Sequence, residues 1–290
     1  MLAASPVELD LQLPSGRLHA QRFGAESAPL VVCVPGLSAN MKSFDFLGER
    51  LGGPSLQVVA LDLRGRGKSD VTPPGSYGWD GHARDVFAVA DSLGAASLSV
   101  IGHSMGAMVA LAAARLDSAR LERLVLIDAC GYPEESTGPL ISAAVARLGT
   151  VYPSVEAYLD GVKQIGTVSP WSDYFERYLR YELAPVEGGV RSRSSRDAVM
   201  EDADEFQPGH QDVYGLWRDI RQPVLLLRAA RELLPGAGFI ISEADRDRFA
   251  REVQSARVAE IDANHYGIIT ADATAAAIAE FLAHTARRSC

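Results

Sequence analysis

The chain has 290 residues, of which 47% are hydrophobic and 22% charged, and it carries a net charge of −9. That is the composition of a globular protein whose core is large enough to need no covalent staples. The acidic balance speaks against nucleic acid and against anionic membrane surfaces as partners, because both select basic patches.

Residues 7–13 alternate apolar and polar positions, end at Pro14-Ser15-Gly16, and are followed by a second alternating run over 17–23. This pattern predicts an antiparallel hairpin at a sheet edge. Residues 30–34 (LVVCV) are continuously apolar, as in a strand covered on both faces within a parallel sheet. After the loop at 35–40, residues 43–51 read as a helix stopped at Gly52-Gly53. A second buried strand at 57–61 runs into the turn Asp62-Leu63-Arg64-Gly65-Arg66-Gly67-Lys68-Ser69. Residues 79–93 form a predicted helix, 98–101 a short strand, and 107–115 an Ala- and Leu-rich helix. Residues 121–127 are another strand, ending at Asp128.

The rhythm then breaks. From 131 to 220 the sequence offers amphipathic pieces at 140–148, 155–165, 174–183, 196–205 and 211–220, punctuated by Gly and Pro. It resumes with a strand at 223–227, a helix at 245–253, a strand at 258–261 and a final helix at 272–288. The expected fold class is α/β, with a mostly parallel central sheet and a helical cap inserted before the last two strands. The expected core domain comprises residues 1–130 and 221–290, and the cap residues 131–220.

Sites in such folds lie at the carboxyl ends of the strands. There the chain places Gly36-Leu37, Ser104, Asp128, Glu232 and Asn264-His265 in turn. Ser104 stands at the centre of Gly102-His103-Ser104-Met105-Gly106, a G-x-S-x-G between a strand and a helix. That context defines a nucleophile elbow: glycines two before and two after let strand and helix crowd together, and the hydroxyl is pushed out alone above a helix N-terminus. A serine needs a base to become a nucleophile at neutral pH. His265 is the histidine that follows a late strand; His19, His82, His210 and His284 read as surface or packing residues. His103 reads as a packing and hydrogen-bonding neighbour of Ser104.

With Pro35-Gly36-Leu37, the Asp62–Ser69 turn, the elbow and Asn264-His265 in this order, the chain from about residue 7 to 285 resembles the α/β-hydrolase family, in its capped serine hydrolase or esterase form. The family usually has His where Pro35 stands. The resemblance implies a Ser-acid-His triad acting through an acyl-enzyme, with the backbone N–H groups of Leu37 and Met105 as the oxyanion hole. It implies a carboxylic ester, lactone or related acyl bond as target. A carbon–carbon bond or amide hydrolase of the same fold, and a non-catalytic ligand-binding member, are the alternatives. Two carboxylates could orient His265. Glu232 lies in the loop where the family more often carries the acid; Asp128 lies at the end of the strand before the cap, where some members carry it. Asp128 is the better placed, because a carboxylate directly after a buried strand needs a partner.

Other features receive plainer readings. Arg64, Arg66 and Lys68 are expected to be solvated charges on a structural turn, as are Arg191, Arg193 and Arg196 on a cap loop. Arg231 is a candidate surface partner of Glu232. Trp171, Tyr174, Tyr178, Tyr181 and Trp217 are expected as helix–helix core. The three cysteines, Cys33, Cys130 and Cys290, imply no disulfide framework. No phosphate loop, dinucleotide fingerprint or metal-ligand cluster occurs, so no cofactor and no metal is expected. The expected partner is a small-molecule acyl substrate, with no nucleic acid and no membrane, and the oligomeric state is left open. With no leader-like N-terminus, the expected setting is cytoplasmic.

Overall fold

The computed structural model describes residues 5–207 and 209–283. The first half of the chain supplies strands β1 (Val7–Leu13), β2 (Gly16–Phe23), β3 (Leu30–Val34), β4 (Gln57–Leu61), β5 (Leu98–His103) and β6 (Leu121–Ile127), with helices α1 (Asp45–Leu51), α2 (Trp79–Ser92) and α3 (Met105–Asp117) between them. Next come α4 (Gly138–Ala146), α5 (Val155–Ile165), α6 (Asp173–Glu182), a hairpin of β7 (Leu183–Val186) and β8 (Gly189–Ser192), and α7 (Arg196–Asp204). The last quarter adds β9 (Val224–Ala229), α8 (Glu243–Glu252), β10 (Ala256–Ile261) and α9 (Asp272–Ala283).

Eight strands form one sheet in the order β1-β2-β4-β3-β5-β6-β9-β10. β1 and β2 form the antiparallel edge, β2 meets β4 antiparallel, and every later pairing is parallel. The continuous apolar runs are continuous because both faces are covered. In β3, Leu30, Val32 and Val34 face the layer of α2 and α3, while Val31 and Cys33 face the layer that contains Phe44 and Ile278. Chain direction across the sheet reverses at β3, which lies between β4 and β5. The crevice at the carboxyl ends of β3 and β5 is therefore the switch point where such sheets bind ligands.

The segment between β6 and β9 departs from the expected all-helical insertion in two places. The β7–β8 hairpin is paired antiparallel, Leu183 opposite Ser192. Its strands are short and only partly apolar, so no periodicity marks them. Residues 211–220 form only a 3-10 turn, Gly215–Asp219, and this turn belongs to the main core. It packs on α3, with Trp217 edge-on to Phe249 at 5.1 Å and its Nε1 donating to the Cys130 carbonyl at 2.7 Å. Among the described residues no helix is long and apolar enough to cross a membrane. Cys33 and Cys130 are buried free thiols, and burial pushes both far above their ordinary pKa. His284 and Cys290 lie outside the described residues.

Asp45 opens α1 from a buried position, receiving Gln21 Nε2 at 3.3 Å and facing Arg177 Nε at 3.7 Å. Burial pushes its carboxyl from 3.8 up to about 6, against the pull of Lys42 and Arg177. A pKa raised on folding favours the native state below the unfolded value and penalises it as pH rises through 6. Asp45→Asn should therefore raise the melting temperature at pH 8, by a free energy of at most about 3 kcal/mol, and leave it unchanged at pH 4. Thermal melts at the two pH values check this.

Candidate active site

The turn from β5 into α3 is built by close backbone approach. A Cβ on Gly102 would lie 2.1 Å from the Gly106 carbonyl oxygen, and one on Gly106 only 2.0 Å from that of Val34. With no side chain at either position, Ser104 is held at φ 56°, ψ −125° and hydrogen-bonded through its N–H to the Ile127 carbonyl at 2.9 Å. Its neighbours in the turn are buried, whereas Ser104 is partly exposed. Among the described residues, Ser104 and Asp128 are the two non-glycine residues at positive φ. Such strain persists only where the surroundings over-determine it, and it concentrates at functional sites.

Asp128 follows β6 at φ 49° and is buried. Its N–H donates to the Leu227 carbonyl at 2.8 Å, and its Oδ1 accepts the Ala229 N–H at 2.9 Å. Its other oxygen, Oδ2, lies 2.8 Å from His265 Nδ1. This assigns the proton to Nδ1 and leaves Nε2 as the basic nitrogen. Glu232 does not approach His265. Its Oε2 accepts the Gly236 N–H of its own loop at 2.7 Å. Nor does Arg231 pair with Glu232: it forks onto Asp262 at 2.6 and 2.7 Å.

His265 is fixed from several sides. His103 Nε2 meets the His265 carbonyl at 3.0 Å, and the two rings lie 4.5 Å apart. Burial, then the neighbouring His265, keep the His103 pKa well below 6.5, so His103 is neutral and donates from Nε2. Asn264 Oδ1 takes the Gly267 N–H at 2.9 Å, and its Nδ2 donates to the Thr167 carbonyl at 2.8 Å. The Ser104 hydroxyl and His265 Nε2 have no hydrogen-bond partner among the described residues. Catalytic hydrogen bonds commonly tighten only with substrate bound. The N–H groups of Leu37 and Met105 likewise meet no acceptor among the described residues.

The arginine turn differs from expectation. Arg64 and Arg66 are buried, not solvated. Arg64 pairs with Asp85 at 2.6 Å. Arg66 is fully enclosed; its Nε and Nη2 donate to the Leu37 carbonyl at 3.1 and 2.9 Å, and Nη2 pairs with Asp202 of α7 at 2.5 Å. His82, also fully buried, meets the same Asp202 oxygen at 2.9 Å, while Oδ1 accepts the Gly78 N–H at 2.6 Å. Burial pushes the Asp202 carboxyl up, but His82 and Arg66 outweigh it and hold it at about 2. The reason for the burial is α7 itself, which seats on the turn. The Ser195 N–H donates to the Gly65 carbonyl at 2.8 Å, and a Cβ on Gly65 would come within 2.7 Å of Ala198. The sequence carried a sign of this: Asp202 shares a helical face with Ala198 and Val199, both buried. Arg191, Arg193 and Arg196 are exposed as expected.

The half-buried Arg147 pairs through Nη1 with the buried Glu182 at 2.6 Å and with the Tyr158 hydroxyl. Its charge also reaches Tyr178 and Tyr266, and the Tyr266 ring lies 5.6 Å from that of His265.

The description of the alpha/beta hydrolase family matches residues 31–277, and the chain belongs to that family. It is 32% identical over 219 residues to N-formylmaleamate deformylase of Pseudomonas putida, covering 74% of this chain and 75% of the relative. It is 28% identical over 225 residues to 2-(acetamidomethylene)succinate hydrolase of Mesorhizobium japonicum, covering 77% and 78%. The crystal structure of E-2-(acetamidomethylene)succinate hydrolase superposes with a TM-score of 0.84 at 24% identity, over 96% of this chain and 99% of the other. The chain is thus a hydrolase of the α/β fold.

If the elbow depends on close backbone approach, a single methyl should break it. Gly106→Ala should cost at least about 3 kcal/mol, read as a fall in melting temperature or as loss of soluble protein.

Proposed function

We propose that the chain is a serine amidohydrolase that removes a small acyl group from the nitrogen of a carboxylate-bearing substrate. The observation that carries this reading is the 2.8 Å bond from His265 Nδ1 to the buried Asp128, at the sheet edge where Ser104 is held in a strained turn. Ser104 Oγ attacks the acyl carbon and passes its proton to His265 Nε2. The resulting oxyanion is received by the N–H groups of Leu37 and Met105 at the head of α3. His265 then returns the proton to the departing nitrogen, which an amide needs more than an ester does, and water releases the acyl group by the same steps in reverse order. Asp128 holds the imidazole in the required tautomer and stabilises its cation.

Of the acyl bonds considered above, the amide is favoured by the relatives. The names of both describe a formyl or acetyl group on nitrogen, attached to an acid. A panel of N-formyl and N-acetyl enamides with free carboxylates, their methyl esters, matched simple esters, a lactone and a ring-cleavage dienoate tests the assignment. The free-carboxylate amides should turn over fastest. Cleavage of the dienoate alone would move the chain to carbon–carbon hydrolysis.

Ser104→Ala should lower kcat by about 10⁶ and abolish labelling by a fluorophosphonate; labelling that persists would exclude Ser104. Asp128→Asn should lower kcat by about 10⁴, whereas Glu232→Gln should cost less than about tenfold. The reverse ranking, in folded protein, would make Glu232 the triad acid.

A further inference from the structure

The enclosed Arg66 joins three parts of the chain that are distant in sequence. One is the loop after β3, through the Leu37 carbonyl. Another is α7, through Asp202. The third is its own turn, where Nη1 donates to the Arg64 carbonyl at 3.1 Å. The loop after β3 makes few other hydrogen bonds between Gly36 and Ala39; farther on, the Met41 N–H donates to Asp62 Oδ1 at 2.8 Å and Asn40 Nδ2 to the Tyr178 carbonyl at 3.3 Å. Its internal bond runs from the Ala39 N–H to the Gly36 carbonyl at 3.1 Å, and Ser194 Oγ reaches the Ser38 carbonyl at 3.4 Å. From the cap side, Val145, Leu148 and Val199 pack on the Leu37 side chain. Apart from the turn's own bond, the hydrogen bonds at Leu37 and Ser38 come from Arg66 and from Ser194, while the Leu37 side chain packs against the main core as well as against the cap segment.

We propose that Arg66 is a positioning residue for the oxyanion hole, and that Asp202 makes this positioning depend on the docking of α7. Gripping one carbonyl with two N–H groups fixes the Leu37 backbone in direction as well as in distance. The Leu37 N–H is one of the two donors in the mechanism above, so the inference rests on that reading. Asp202 holds the guanidinium in place and is itself held by His82 and Gly78. Helix α7 is then a fixed strut of the catalytic machinery, and any motion of the cap that admits substrate pivots on other elements, α4 to α6.

Two variants separate positioning from mere stability. Arg66→Lys keeps the positive charge for Asp202 but cannot grip one carbonyl from two directions. The double variant Arg66→Met with Asp202→Leu removes the Arg66–Asp202 ion pair and the grip together, so neither of these two ions is left buried alone, though His82 and the Gly78 N–H lose their acceptor. With p-nitrophenyl acetate as probe, both should lower kcat by about 10- to 100-fold with KM within about twofold of wild type. The rate of labelling by a fluorophosphonate, whose phosphoryl oxygen occupies the same hole, should fall by the same factor, and the melting temperature of Arg66→Lys should stay within a few degrees of wild type. Wild-type kcat and labelling rate in either folded variant would overturn the proposal while leaving the serine mechanism intact. So would a rise in KM matching the fall in kcat, or a loss of activity that follows the loss of folded protein. A wild-type chain that is not labelled at all, or labelling that persists in Ser104→Ala, would instead remove the serine reading, and this proposal with it.

Discussion

The site depends on how closely two backbones approach at the head of α3. Gly106 lies so near the Val34 carbonyl that no side chain fits between them, and Gly102 lies as near to Gly106. This contact brings β3, β5 and α3 together at one point. It places the partly exposed Ser104 between the loop after β3 and the end of β6. The apolar layers on both faces of the sheet supply the free energy that keeps so strained a turn closed. Asp128, the other residue at positive φ, is bonded to the neighbouring strand through both its N–H and its Oδ1. Strain and hydrogen bonding therefore converge on the same few residues.

Around this point the chain arranges buried and half-buried charges in hydrogen-bonded groups. Arg66, Asp202 and His82 form one, Arg64 and Asp85 another, and Arg147, Glu182 and Tyr158 a third. The first two join α7 or the turn after β4 to the body of the fold, and the third ties the end of α4 to α5 and α6. Such pairs add little net stability, because desolvation offsets their attraction, but a lost partner is costly. Their effect is to fix geometry: an apolar contact tolerates sliding, whereas a guanidinium with all its directions used does not.

Much of this could be read from residue order. Period-two and continuous apolar runs gave the strands, because a strand's faces are visible in its own sequence. The spacing of glycines around Ser104 gave the elbow, because only one geometry needs glycine at both places. That Asp128 would have a partner followed from the cost of leaving a carboxylate unpaired at the end of a buried strand, and His265 Nδ1 meets it. The arginine turn was misjudged for the opposite reason. Whether Arg66 is solvated depends on α7, more than a hundred residues later, and no local pattern reports a helix that packs on it from so far away. The β7–β8 hairpin escaped because its strands are short and half exposed, and residues 211–220 because their aromatic side chains belong to the core and not to a helix of their own.

On the proposed reading the acid comes from β6, and this changes what the connection after β9 is free to do. In Ala229 that connection gives the triad only a backbone N–H, which any residue supplies. Beyond it the chain from 230 to 242 carries no reacting group. It is tied back by its own carboxylate turn at Glu232 and by Glu134, which accepts the Phe239 N–H at 2.9 Å. At its half-exposed tip, 234–237, insertions and new side chains can accumulate without disturbing the chemistry, whereas Leu233, Ile240 and Ile241 are buried. With Leu233 and Asn264 joined across it by a hydrogen bond at 3.3 Å, that stretch still borders the histidine loop. A lineage that needed a different leaving group could reshape this wall of the site while every reacting atom stayed where it is.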